Sequence, residues 1–97
     1  MQTSNNMGPE AAAQALAIDA LGHLATDPES LGRFLALAGI GPENLRTAAS
    51  EPGFLAGLLD FLLNDESRLL AFCENRGHEP TAVATAREIL GGPAPQV

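Results

Sequence analysis

The sequence predicts an all-α protein, a compact bundle of six short helices, and three observations carry that reading. Trp and Tyr are absent and Phe occurs four times in 97 residues, so the 45% of the chain that is hydrophobic must build its core from Leu and Ala, two strong helix formers. Gly and Pro punctuate the chain at short intervals, where helix ends favour them. Between those marks, apolar residues recur at three- and four-residue spacing. A chain of this size and composition closes one core without a metal or disulfide. Residues 9–90 are expected to form a single helical domain between disordered tails at 1–8 and 91–97.

The first helix is expected from about Pro9 to Ala25, opened by Gly8, Pro9 and Glu10, with Leu16, Ala20, Leu21 and Leu24 inward. "TDPES" ends it: Asp27 suits a cap, Pro28 a first helical position, and Glu29 and Ser30 the first turn of the next helix. That second helix aligns Leu31, Phe34, Leu35 and Ala38 and stops at Gly39, in the left-handed conformation that glycine adopts at little cost. Pro42 to Ala49 reads as a short third helix, with Leu45, Ala48 and Ala49 inward and Glu43 within reach of Arg46. The fourth, capped by Ser50 and ending near Leu63, spreads seven Phe and Leu side chains over an arc far wider than the ~100° of a surface helix. It is therefore the central helix. The fifth spans Asn64 to Gly77 with Leu69, Leu70, Phe72 and Cys73 inward, and the sixth spans Pro80 to Leu90 with Val83, Ala86 and Leu90 inward.

Shifted against itself by 38 residues, the chain superposes Asp27 on Asp65, Phe34 on Phe72, Gly39 on Gly77 and Pro42 on Pro80. A cap, a core aromatic, a helix-stopping glycine and a helix-starting proline coincide without a gap. The chain is read as two pseudo-repeated three-helix units, about 12–49 and 50–87, sharing one core. Duplication and similar loop lengths both account for the match. The two corners differ in surface, since Gly39-Ile40-Gly41-Pro42 is apolar and Gly77-His78-Glu79-Pro80 is polar.

The stretch "DPESLGRFLALAGIGPENLRTAASEPGFLAGLLDFLLNDESRLLAFCENRG" resembles a small family of uncharacterised bacterial proteins, mainly alphaproteobacterial, known as a domain of unknown function. The resemblance covers about Ala15 to Gly92. It rests on Gly32 to Ile40, on Pro42 with Leu45 and Arg46, on Phe54 through Glu66, and on Ala86 through Gly92. It implies a stand-alone helical protein and brings with it no activity, ligand or partner.

Twelve acidic residues against five basic ones leave a formal net charge of −7, a field that repels phosphate backbones and anionic lipid. Neither a nucleic acid nor a membrane is expected as partner. A lone Cys73 excludes an internal disulfide, and the first residues lack the basic patch and apolar run of a signal peptide, so a cytoplasmic setting is expected. No cofactor or metal is expected: two His and one Cys match no ligand spacing, and the acidic clusters lack the alternating oxygens and central glycine of a calcium loop.

Three polar residues are candidates for chemistry. Asp19 and His23 lie four residues apart on one helix face, where a carboxylate and a helix carboxyl end would favour a charged imidazole. An acid-base pair is one reading and a solvated surface contact the other. Asp60 is the one charge in the central helix, and it falls on a strip with Gly57 and Asn64. The remaining candidate is apolar surface at Leu37, Ile40 and Pro42. Ile40 is either part of a docking patch or the hydrophobic contact that locks a glycine-terminated helix. The expected function is accordingly a non-enzymatic interaction or adaptor domain acting on a protein partner, with a homodimer as one form. The alternative is a small-molecule or catalytic pocket between the two units, using Asp19, His23 or Asp60.

Overall fold

The computed structural model describes residues 8–91, and every regular element among them is helical. The order is α1 (Pro9–Ala25), α2 (Pro28–Ala38), a 3-10 turn (Pro42–Asn44), α3 (Leu45–Ala48), α4 (Pro52–Leu63), α5 (Glu66–Arg76) and α6 (Pro80–Gly91). The tails expected at 1–8 and 91–97 lie outside the described residues except for Gly8, extended at the cap of α1, and Gly91, the last residue of α6.

Proline starts α1, α2 and α4, each time with an extended residue before it, because its fixed φ and missing N–H suit only a first turn. Glycine stops α2 and α5. Gly39 (φ 71°) and Gly77 (φ 73°) are the positive-φ residues among those described, and the amide after each reaches back five residues, Ile40 to the Leu35 carbonyl at 3.0 Å and His78 to that of Cys73 at 3.1 Å. The glycine stops thus recur 38 residues apart, but the aspartate caps do not: Asp65 accepts the Arg68 amide, whereas Asp27, expected to cap α2, accepts the Ser30 hydroxyl instead. Nor does the third helix of each half: α6 has twelve residues and packs along α1 and α4, whereas α3 has four and adds no residue to the main core.

Helix α4 is central, as its wide apolar arc predicts. Leu55, Leu58, Leu59 and Leu62 are fully buried, and α1, α2, α5 and α6 all pack on it. At about 2 kcal/mol for each fully buried Leu, these side chains are a leading favourable contribution to folding. The neighbours come close because their contact faces are small. Ala13, Ala17 and Ala20 are buried on α1, and a Cβ on Gly91 would stand 2.9 Å from that of Ala56.

Several boundary and burial expectations are corrected. Ser50 does not cap α4; its hydroxyl donates to the Thr47 carbonyl at 2.8 Å and closes α3, leaving the cap position to Glu51. Helix α5 starts at Glu66 rather than Asn64, because the Asp65 carboxylate accepts the Arg68 amide and caps it there. Leu70 is exposed, since Leu69, Phe72 and Cys73 already form the buried stripe of α5. Ala38 is also exposed, because no helix covers that end of α2. Among the described residues no ion pair joins Glu43 to Arg46; the Glu43 carboxylate lies over Gly41 instead.

The two kinds of glycine predict opposite signs. Gly39→Ala forces a side chain into the left-handed region and is expected to cost about 1 kcal/mol in urea unfolding. Gly32→Ala, inside α2 with open space where its methyl would go, is expected to stabilise by about the same amount.

Candidate functional site

Besides the packing of α1 on α4 and α6, two smaller seams join the first half of the chain to the second, α1 against α5 and α2 against α4, and they are finished differently. On the first, the Asp19 carboxylate of α1 spans the gap. It accepts from Arg76 at 2.7 Å and lies 2.7 Å from His78 Nε2, and the His78 ring stacks on buried Phe72 at 5.0 Å. The pairing expected between Asp19 and His23 is not made. His23 turns to the Phe72 ring instead, 5.6 Å between centroids, while the helix corner at Gly77 brings Arg76 and His78 to Asp19.

The charge states follow from this arrangement. The hydrogen bond from His78 is the main reason that Asp19 is held below the ordinary carboxylate range; burial works against it and Arg76 adds to it. His23 is pushed down by burial and then by the Arg76 charge, with Asp19 opposing, so the protonated imidazole expected from helix position is disfavoured. A carboxylate stabilised by two partners is a poor proton acceptor, and a depressed imidazole four residues away without a bond to it does not complete an acid-base pair. Cys73 is buried and its thiol is pushed up, chiefly by desolvation, which suits a core residue rather than a nucleophile.

The second seam stays open. Between α2 and α4 lies an open groove of about 900 Å³. Phe34 meets Phe54 at 5.3 Å and Phe61 at 5.4 Å in its floor. Leu37, 73% exposed, and half-buried Ile40 stand on the α2 rim, and Gly53 and Gly57 leave the α4 side bare. Pro42 is exposed but does not line the groove. Asp60 does line it, and its carboxylate accepts from Arg87 Nε at 2.8 Å, an interaction that further favours the charged guanidinium. At one end Arg68 lies 4.7 Å over the Phe61 ring, bonds Asp65 at 2.8 Å and donates to the Ser30 hydroxyl, which donates to Asp27. That network holds the starts of α2 and α5 together and explains why Ser30 is buried.

In the sequence, a shift of 38 residues sets Phe34 against Phe72, Asp19 against Gly57, Ala38 against Arg76 and Ile40 against His78. Every group that bridges the closed seam is replaced on the open one by a glycine or an apolar side chain. The candidates are therefore split, Asp19 and His23 on one seam and Asp60, Leu37 and Ile40 on the other. Sequence reasoning did not select Arg76, Arg87 or the three-Phe floor, although Phe54 and Phe61, seven apart, already lay on one helix face beside Gly57.

Among the described residues no three His, Cys, Asp or Glu side chains converge as metal ligands, and no helix is long and apolar enough to cross a membrane. A family model described as "Protein of unknown function (DUF3572)" matches residues 10–93. No curated relative and no solved structure matches the chain.

Because both shifted groups favour the folded state when deprotonated, stability is expected to fall as the pH drops. The His23 contribution is lost below about 6.5, where the unfolded imidazole takes a proton, and the Asp19 contribution below about 3.9. Asp19→Asn should be less stable than the parent chain at pH 7, and the difference should shrink as the pH falls below about 3.8 in urea unfolding. A deficit that does not change with pH across that range rules out the ionic role.

Proposed function

The chain belongs to the family described as Protein of unknown function (DUF3572), and for it we propose a non-enzymatic protein-interaction domain whose contact surface is the α2–α4 groove. One observation carries the reading: an aromatic floor and an exposed leucine rim share one concavity, with charged residues at its edges. Single exposed apolar residues are ordinary on a protein surface, but a continuous apolar patch has a solvation cost that a partner relieves. Its walls, α2 and α4, are 11 and 12 residues long, so the groove can run for about 16 Å, roughly three turns of a docked helix with anchors at i, i+3, i+4 and i+7.

The pocket alternative finds less support. A cleft between the two halves does hold Asp60, but the carboxylate is engaged by Arg87 and no histidine lines the groove. A cytoplasmic setting is part of the proposal, supported by the lone, buried Cys73.

Isotope-labelled protein titrated with a synthetic helix bearing leucines at i, i+3, i+4 and i+7 and glutamines elsewhere tests it. Saturable amide shifts are expected along α2 and α4, with affinity weakened at least tenfold by Gly57→Leu, whose new side chain enters open space. The pair Gly57→Asp with Ala38→Arg, which copies the bridge of the closed seam, should act the same way. Shifts that ignore both variants, or that map elsewhere, overturn the proposal.

A further inference from the structure

We infer that the occupant of the α2–α4 groove is a second copy of this chain, docked about a two-fold axis. This rests on reading the groove as an interaction surface and adds the identity of the partner. A two-fold contact must present a surface complementary to itself. Here the projection and the recess are neighbours: Leu37 stands on the rim of a groove whose opposite wall is lowered at Gly53 and Gly57.

The charges follow the same rule. Ser30, in the first turn of α2, is bonded by Arg68, which lies beyond the C-terminal end of α4, so the two helices pass each other in opposite senses. Arg33, one turn on from Ser30, lines the groove toward that end, and Glu51, at the N-terminal end of α4, lines it at the other. Among the described residues neither has an ion-pair partner, whereas Asp60 is held by Arg87 and Asp65 by Arg68. Half a turn about the middle of the groove exchanges its ends. It brings the Arg33 of each copy toward the partner's Glu51, and each Leu37 over the opposing recess. The two groove-lining charges that have no ion pair within one chain are thereby paired in two. The net charge of −7 on each copy opposes association at long range, and physiological salt screens that repulsion beyond about 8 Å. Register and specificity then depend on the two short-range pairs, and affinity on the apolar contact.

Sedimentation equilibrium of the full chain, from micromolar to millimolar concentration in physiological salt, tests the inference. A monomer–dimer equilibrium is expected. Arg33→Glu and Glu51→Arg should each weaken it about tenfold or more, and the two together in one chain should restore it to within about threefold. Gly57→Leu should abolish it. Thermal melts verify that each variant folds, and the Glu51 side chain makes no capping bond whose loss would disturb α4. A chain that stays monomeric throughout overturns the inference, as does a dimer indifferent to the charge exchange and to Gly57→Leu. The groove reading is judged separately: it stands if the leucine helix binds the parent chain but not Gly57→Leu, and falls if that helix does not bind.

Discussion

A helix that is apolar around most of its circumference must be covered around most of its circumference, and α4 imposes that demand on the rest of the chain. Its fully buried leucines leave no orientation in which one neighbour would suffice, so α1, α2, α5 and α6 are all drawn onto it. Covering one helix with four requires close approach. That explains the alanines of α1 and the contact of Gly91 with Ala56: larger side chains there would push α1 and α6 outward and reopen the core. The corners at Gly39 and Gly77 serve the same end by turning the chain sharply enough to return to α4.

What α4 leaves uncovered is as informative as what it buries. Gly53, Gly57, Asp60 and Asn64 form the strip that faces the groove, with Asp60 held by Arg87 of α6, and Phe54 and Phe61 border it. On the corresponding side of α1 the gap is bridged by Asp19, Arg76 and His78, a set of charge-assisted hydrogen bonds over an aromatic ring. The partly exposed bridge contributes modestly to stability, because solvent screens it. It ties α1 to the corner after α5, and shallower concavities remain on either side of it. With glycine where Asp19 would correspond, and alanine and isoleucine in place of the arginine and histidine, the α2–α4 seam has nothing to bridge it. The groove is thus a consequence of particular side chains rather than of helix placement alone.

The concavity also shows how polar groups are held back from an apolar surface. Asp60 is engaged by Arg87, and Arg68 is spread over Phe61 while bonding Asp65 and Ser30, so the charges nearest the aromatic floor are compensated within the chain. A partner entering there would desolvate satisfied groups rather than isolated ones, which lowers the cost of docking. Arg33 and Glu51, which also line the groove, have no ion pair among the described residues.

Much of the fold was legible because helix ends and helix faces are local properties. Pro28, Gly39, Asp65 and Gly77 act through the backbone within a few residues, and the wide arc of α4 is visible on a wheel without knowledge of its neighbours. Where the local reading failed, a competing partner had decided the matter: Ser50 closes the helix behind it, and His23 prefers an aromatic ring on α5 to the carboxylate one turn away. By itself, then, the sequence determined a helical protein of Leu and Ala built around its fourth helix, with a strip of that helix unfit for burial. Only the tertiary structure decided that Asp19 would be bridged by residues 57 and 59 positions away and that Phe34, Phe54 and Phe61 would share one floor. Such pairings depend on which faces meet when the helices pack, and no spacing along the chain encodes them.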